Sequence, residues 1–130
     1  MNKIFRMLNM MTDNNKSASA FAEVDYIDII IVDACNLYDR VYIGYRKTFF
    51  RPSPATRFLV QCPICEMGYS DLTVAVSDTV HRRAASALTP LVSCGVVLPY
   101  DCSTTSSRNT DCSSSFVYEI RVTYLSQTPA

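Results

Sequence analysis

The sequence has few of the residues on which catalytic and ligand-binding motifs depend. Only three glycines and one histidine occur among its 130 residues. Three scattered glycines exclude the glycine-rich loops that cradle phosphates or dinucleotides, and a single histidine leaves little room for the acid–base chemistry that histidine usually carries. The sequence also contains no nucleophile elbow and no HExxH motif. These absences predict a protein that is not an enzyme.

Net charge is also lacking, because twelve Lys and Arg residues balance twelve Asp and Glu residues. This balance argues against a partner that is recognised by the whole surface, such as bulk nucleic acid. The charges are nevertheless sorted along the chain, with only acids in residues 23–39 and only bases in residues 40–65. An acidic segment followed by a basic one predicts an antiparallel hairpin with cross-strand charge pairs.

Long apolar runs are missing as well. The strongest one, Val24–Cys35, is interrupted by three aspartates and falls well short of the ~20 residues that cross a membrane. The apolar start of the chain is broken by Asn9 and followed by Asp13, which does not fit a signal peptide. We therefore expect no membrane span, no secretion through a visible signal peptide, and a location inside the cell or inside an assembled particle.

The run Val24–Cys35 predicts a central strand, because it is rich in β-branched residues and apolar on both faces at the two-residue period. The other predicted strands are Val41–Phe50, Thr56–Cys62, Asp71–Ser77, Leu91–Leu98 and Phe116–Leu125, and the predicted helix is Thr79–Leu88 with Asp78 as its N-cap. This pattern predicts a mainly β fold, namely an antiparallel sandwich or partly open barrel of about six strands with one short helix and an N-terminal helical arm. An α+β sheet with the helix on one face is the alternative.

Residues 1–22 are predicted to form an arm and a linker that precede a single β-rich domain, residues 23–130. Apolar side chains recur at helical spacing near the N-terminus, and they are Ile4, Met7, Leu8 and Met11. Thr12–Ala22 is small and polar, as linkers are. Because so short a helix is marginal alone in water, this stripe must be buried against its own domain or against a partner.

The sharpest local motif is Cys62-Pro63-Ile64-Cys65, whose spacing suits one half of a tetrahedral zinc site. The candidate ligand set is Cys62, Cys65, His81 and Cys94. Glu66 stands where zinc knuckles usually have glycine, and the other cysteines do not repeat the spacing. The preferred interpretation is therefore small buried cysteines at strand ends and no cofactor, with zinc as the alternative. Cys102 and Cys112 lie in a polar loop, Tyr100–Ser115, and would be the easiest pair to close as a disulfide.

A basic and aromatic segment, residues 40–58, has the composition of a single-strand nucleic-acid binder, which stacks bases on aromatic rings and pairs phosphates with basic side chains. Its candidate contact residues are Arg40, Tyr45, Arg46, Lys47, Phe49, Arg51 and Arg57. In a hairpin the neighbouring acids would neutralise much of this positive charge, which favours a structural role for the segment.

Two functional hypotheses follow from these patterns. The first is a non-enzymatic protein–protein interaction or assembly subunit, such as a structural component of a larger particle, which contacts itself or a neighbour through the Met-rich arm. The second is a small nucleic-acid-binding module, assisted by zinc, that uses residues 40–58. The composition favours the first.

Overall fold

The computed structural model describes residues 20–95 and 112–125. Its strands and helices, in chain order, are β1 (Val24–Ala34), a 3-10 helix (Asp39–Tyr42), β2 (Arg46–Phe50), β3 (Leu59–Gln61), β4 (Tyr69–Asp71), α1 (Thr73–His81), β5 (Ser86–Leu88), β6 (Val92–Ser93) and β7 (Ser115–Tyr124). All strand pairs among them are antiparallel. The predicted mainly β, antiparallel fold is therefore confirmed. The predicted helical arm, residues 4–11, and Cys102 lie outside the described residues.

The larger sheet has the order β2-β1-β7-β5, and β6 pairs with the start of β7. Its two long strands, β1 and β7, run side by side from Val24↔Tyr124 to Ala34↔Phe116. The alternation predicted for β7 is confirmed, because every second side chain from Phe116 to Tyr124 is buried. A second sheet consists of the hairpin β3–β4.

The hydrophobic core lies on one face of the larger sheet. Ile27, Ile29 and Ile31 of β1 are fully buried there. They belong to one core cluster with residues of β7, of β3 and of α1, so the helix and the small hairpin cover the same face. Phe21, which the sequence analysis assigned to a linker, is 4% exposed and stacks on Phe58 with ring centroids 6.2 Å apart. Phe21 is therefore a core residue.

The opposite face of β1 is only partly covered. Ile30 is buried, but Tyr26, Asp28 and Val32 are half-buried. Asp28 accepts a 2.5 Å hydrogen bond from Thr48 and lies 3.9 Å from Arg46 on β2. Cross-strand polar partners therefore satisfy this aspartate on a face that solvent reaches.

The predicted hairpin between the acidic and the basic segment is confirmed, with Asp28 opposite Thr48 and Ile30 opposite Arg46. The basic strand is shorter than predicted. It begins at Arg46 rather than Val41, because Asp39–Tyr42 forms a 3-10 helix and Gly44 turns the chain at φ 96°. A positive φ of this size is open to glycine and strained for other residues.

Within residues 71–88 the predicted types hold at Asp71, which ends β4, and at residues 79–81, which are helical, but not for most of the remainder. The segment predicted as a strand, Asp71–Ser77, largely forms α1, and Ser86–Leu88, predicted as helix, forms β5. Leu72, Val74 and Val76 alternate as a strand would, but Leu72, Val76 and Val80 also recur every four residues. Burial decides between the two periods, because these last three side chains are in the core while Val74 is 83% exposed.

Candidate metal centre

Four cysteine side chains converge where the two sheets meet. The Sγ atoms of Cys62, Cys65, Cys94 and Cys112 all lie within 4.8 Å of one another. Cys65 Sγ is 3.5 Å from Cys94 Sγ, and Cys62 Sγ is 3.8 Å from Cys112 Sγ. Zinc bound to thiolates at about 2.3 Å has tetrahedral sulfur–sulfur edges of about 3.8 Å. The spacing of the four sulfurs therefore fits a tetrahedral metal ion.

The first two cysteines lie on the turn of the β3–β4 hairpin. Cys62 directly follows β3, and its N–H donates to the carbonyl of Gly68 at 2.8 Å. Inside this closed turn, backbone N–H groups point at the sulfurs: those of Ile64 and Cys65 at Cys62, and those of Met67 and Gly68 at Cys65. The Gly68 nitrogen lies 3.3 Å from Cys65 Sγ. N–H donors of this kind stabilise thiolates and hold both ligands in one orientation.

Glu66, where zinc knuckles usually have glycine, has a backbone conformation that glycine favours. Its φ is 59°, in the left-handed region where glycine is favoured. Its N–H donates to the Cys62 carbonyl at 3.0 Å, which closes the turn around the two cysteines. The absence of glycine after Cys65 therefore does not prevent the knuckle, although it strains the backbone there.

The second pair of cysteines comes from the larger sheet. Cys94 follows β6, and Cys112 precedes β7, so the β6–β7 pairing brings together two residues that are 18 positions apart in sequence. Cys94 N–H donates to the Ser114 carbonyl at 3.1 Å, which extends the pairing. The two residues lie on either side of the segment 96–111.

Burial differs between the members of the group. Cys62 is fully buried and Cys94 is 3% exposed, whereas Cys65 and Cys112 are half-buried. Burial raises the pKa of the Cys62 thiol. Burial acts in the same direction on Cys65, but the N–H groups of Gly68 and Met67 and the neighbouring thiols lower its pKa to about 7. Cys65 therefore reaches the thiolate form that binds metal more readily than an ordinary cysteine.

Three of the four predicted metal ligands, Cys62, Cys65 and Cys94, belong to this group, but the fourth differs. His81 lies at the end of α1, where its Nδ1 is 2.6 Å from the Ser77 carbonyl oxygen, and Cys112 occupies the fourth position instead. Sequence spacing could not identify Cys112, since the register of β6 on β7 brings it to the site. The usable signal was that Cys94 and Cys112 flank one long polar segment. Among the described cysteines, Cys35 lies outside the group, and none is in a disulfide.

Three of the seven residues predicted to bind nucleic acid are arginines that lie near an acid. Arg46 is 3.9 Å from Asp28, Arg51 is 3.3 Å from Asp25, and Arg57 is 3.4 Å from Asp71. Phe49 packs edge-on against the core residue Phe58, so it is not available for base stacking. These contacts support the structural interpretation of the basic segment.

The loops beside the cysteine group expose several large apolar side chains. In the β1–β2 connection, Leu37, Tyr38 and Val41 are 78%, 86% and 77% exposed, and Met67 of the knuckle is 70% exposed. The two loops meet at a cleft of about 420 Å³, lined by Tyr42, Tyr45, Gln61, Cys62, Pro63 and Glu66. Several large apolar side chains exposed in one connection favour an interaction surface.

Among the described helices, none is both long and apolar enough to cross a membrane. Comparisons of the chain with protein-family models, with curated proteins and with solved structures gave no match. The interpretation of the site therefore depends on its geometry and chemistry.

Proposed function

We propose that this protein is a non-enzymatic interaction or assembly module whose β-rich body is held together by one zinc ion. The observation that carries the proposal is the convergence of four cysteine sulfurs within 4.8 Å. Four sulfur ligands in a tetrahedron suit zinc or an iron–sulfur cluster, and edges of 3.5 and 3.8 Å suit a single ion. Four protein ligands leave no coordination position for water or substrate, which is typical of structural rather than catalytic zinc.

The role of the zinc follows from where its ligands lie. Cys62 and Cys65 belong to the small hairpin, whereas Cys94 follows β6 and Cys112 precedes β7 of the larger sheet. A shared ion therefore links the two sheets at a point where strands β3, β4 and β6 have only two or three residues each. Such short strands add little stability alone, and metal binding supplies folding free energy instead.

The exposed apolar side chains near the metal centre support an interaction role. Tyr38 and Leu37 lie in one connection, close in sequence to the cleft residues Tyr42 and Tyr45. The partner is a protein, and self-association is the first form to measure. The N-terminal stripe of Ile4, Met7, Leu8 and Met11 remains part of this proposal as a second contact.

Native mass spectrometry of the full chain, expressed with zinc, tests the metal centre. We expect one zinc per chain, and we expect Cys112→Ser to lose it. His81→Ala and Cys35→Ser are matched controls, since neither side chain belongs to the sulfur group, and both should keep the ion. A wild-type protein without zinc would overturn the zinc part of the proposal, and loss of zinc in His81→Ala would overturn this ligand set.

Sedimentation velocity tests the interaction role. We expect the full chain to associate and expect Tyr38→Ser with Val41→Ser, or deletion of residues 1–11, to weaken that association while zinc content stays unchanged. A full chain that remains monomeric at high concentration and binds oligonucleotides tightly would contradict the proposal. In that case Arg46→Ala with Lys47→Ala should weaken oligonucleotide binding and flatten its salt dependence.

A further inference from the structure

The four cysteines form two pairs that are alike in burial and in the elements that they connect. Cys65 Sγ contacts Cys94 Sγ at 3.5 Å, and Cys62 Sγ contacts Cys112 Sγ at 3.8 Å. Each pair joins one half-buried cysteine, Cys65 or Cys112, to one buried cysteine. Each pair also joins the β3–β4 hairpin to the larger sheet.

We propose that a hydroperoxide converts this centre into two disulfides, Cys65–Cys94 and Cys62–Cys112, and releases the zinc ion. This inference rests on the proposed zinc site and adds its regulation. The half-buried sulfur of each pair meets the oxidant, and the buried sulfur next to it completes the disulfide. Both disulfides link the same two sheets that the zinc ion links, so the oxidised protein remains folded without its metal.

The chemistry balances with hydrogen peroxide as the oxidant. The Cys65 thiolate attacks one peroxide oxygen, the O–O bond breaks, and a sulfenic acid and a hydroxide ion form. The Cys94 thiolate then attacks the sulfenic sulfur, an S–S bond forms, and a second hydroxide leaves. Repetition at Cys112 and Cys62 uses a second peroxide. In total, one tetrathiolate zinc centre and two peroxides give two disulfides, one zinc ion and four hydroxides.

The two sulfur–sulfur contacts at 3.5 and 3.8 Å both run between the β3–β4 hairpin and the larger sheet. A disulfide needs its sulfurs at about 2.05 Å, so each of these pairs needs only a small further approach. A Cys62–Cys65 disulfide would join two residues of one turn, leave the sheets unlinked, and leave Cys94 and Cys112 to pair separately. The proposal therefore predicts which peptides become cross-linked.

The test treats the zinc-loaded full chain with hydrogen peroxide. Released zinc is followed with a colorimetric chelator, and disulfides are mapped by mass spectrometry of peptides without reduction. We expect zinc release together with cross-links 65–94 and 62–112, reversal by a thiol reductant with added zinc, and an unchanged fold by circular dichroism. Cys35→Ser is the matched control, because this lone exposed cysteine should not change the result.

Each other outcome has a distinct meaning. Retention of zinc under peroxide, or a mapped Cys62–Cys65 disulfide, overturns the proposed oxidation to two inter-sheet disulfides but leaves the proposed zinc site intact. Zinc release with only sulfinic or sulfonic acids also overturns it. A protein that contains no zinc before treatment overturns the zinc part of the proposed function, and the release of zinc with it. Cys94→Ser adds a check on the wild-type map, since it should abolish cross-link 65–94 and leave 62–112.

Discussion

Glu66 strains the backbone of the turn that carries Cys62 and Cys65. Its φ of 59° costs a residue with a β-carbon about 1–2 kcal/mol, while glycine would lose more chain entropy on folding, by about 0.4–1 kcal/mol. Glu66→Gly should therefore stabilise the zinc-bound protein by about 0.5–1 kcal/mol in urea unfolding. The two hydrogen bonds at this residue use its backbone N–H and carbonyl, so they persist. Glu66→Ala keeps the β-carbon and should give no gain, and an equal gain in both variants would contradict the argument.

Tyr118 is the largest fully buried side chain of the described core, and its hydroxyl donates to Ser70 Oγ at 3.0 Å. Tyr118→Phe should cost about 1 kcal/mol through loss of this bond. Burial raises the pKa of Tyr118 from 10.0 to about 12. The folded state holds the Tyr118 proton more tightly than the unfolded state does. The contribution of the protonated hydroxyl to the unfolding free energy is therefore complete below pH 10 and is lost as the pH rises towards 12. The difference in unfolding free energy between wild type and Tyr118→Phe should therefore shrink across that range, and a constant difference would show that this pKa is not raised.

At the scale of the element, α1 begins where Asp71 ends β4. The carboxylate of Asp71 accepts the Thr73 N–H at 3.0 Å and lies 3.4 Å from Arg57. Burial alone would raise the pKa of Asp71, but the contacts with Thr73 and Arg57 lower it below its ordinary value of 3.8. Its stabilising effect is therefore present above pH 3.8 and is lost as the pH falls below that value.

Asp71→Ala should lower the unfolding free energy at pH 7 by about 1 kcal/mol, the usual net contribution of one hydrogen bond. The cost should decline when thermal unfolding is repeated at decreasing pH below 3.8. Arg57→Ala is the matched control, because this exposed ion pair contributes only about 0–1 kcal/mol. An Asp71→Ala protein as stable as the wild type at pH 7 would show that the hydrogen bond from the Thr73 N–H to Asp71 contributes no stability.

At the scale of the whole molecule, one part of the fold is stabilised by the pairing of two long strands. The other part has only short strands and depends on the proposed zinc ion. β1 and β7 pair over most of their length, whereas β3, β4 and β6 are short and meet at the cysteine group. Zinc removal by a chelator should therefore speed amide hydrogen exchange in residues 59–71 and 92–94. Exchange at the centres of β1 and β7, residues 27–31 and 118–122, should change much less. Uniform deprotection of both regions would contradict this division and indicate that zinc holds the entire fold.

The sequence by itself determined those features that depend on local pattern. Two-residue alternation in β7 has one satisfactory arrangement, since a shift by one residue would expose apolar side chains. The apolar run of β1 indicated a central strand, and the acid-to-base order indicated the first hairpin. The Cys-x-x-Cys spacing likewise specified half of the cysteine group, because both residues lie in one turn.

Only the tertiary structure decided the features that depend on distant residues. The run from Leu72 to Val80 satisfies both a strand and a helix period, and packing against the core selected the helix. Cys112 became the fourth member of the group through the pairing of β6 with β7, a contact between residues separated by a long segment. Such pairings are set by the burial of whole faces, and no local spacing encodes them.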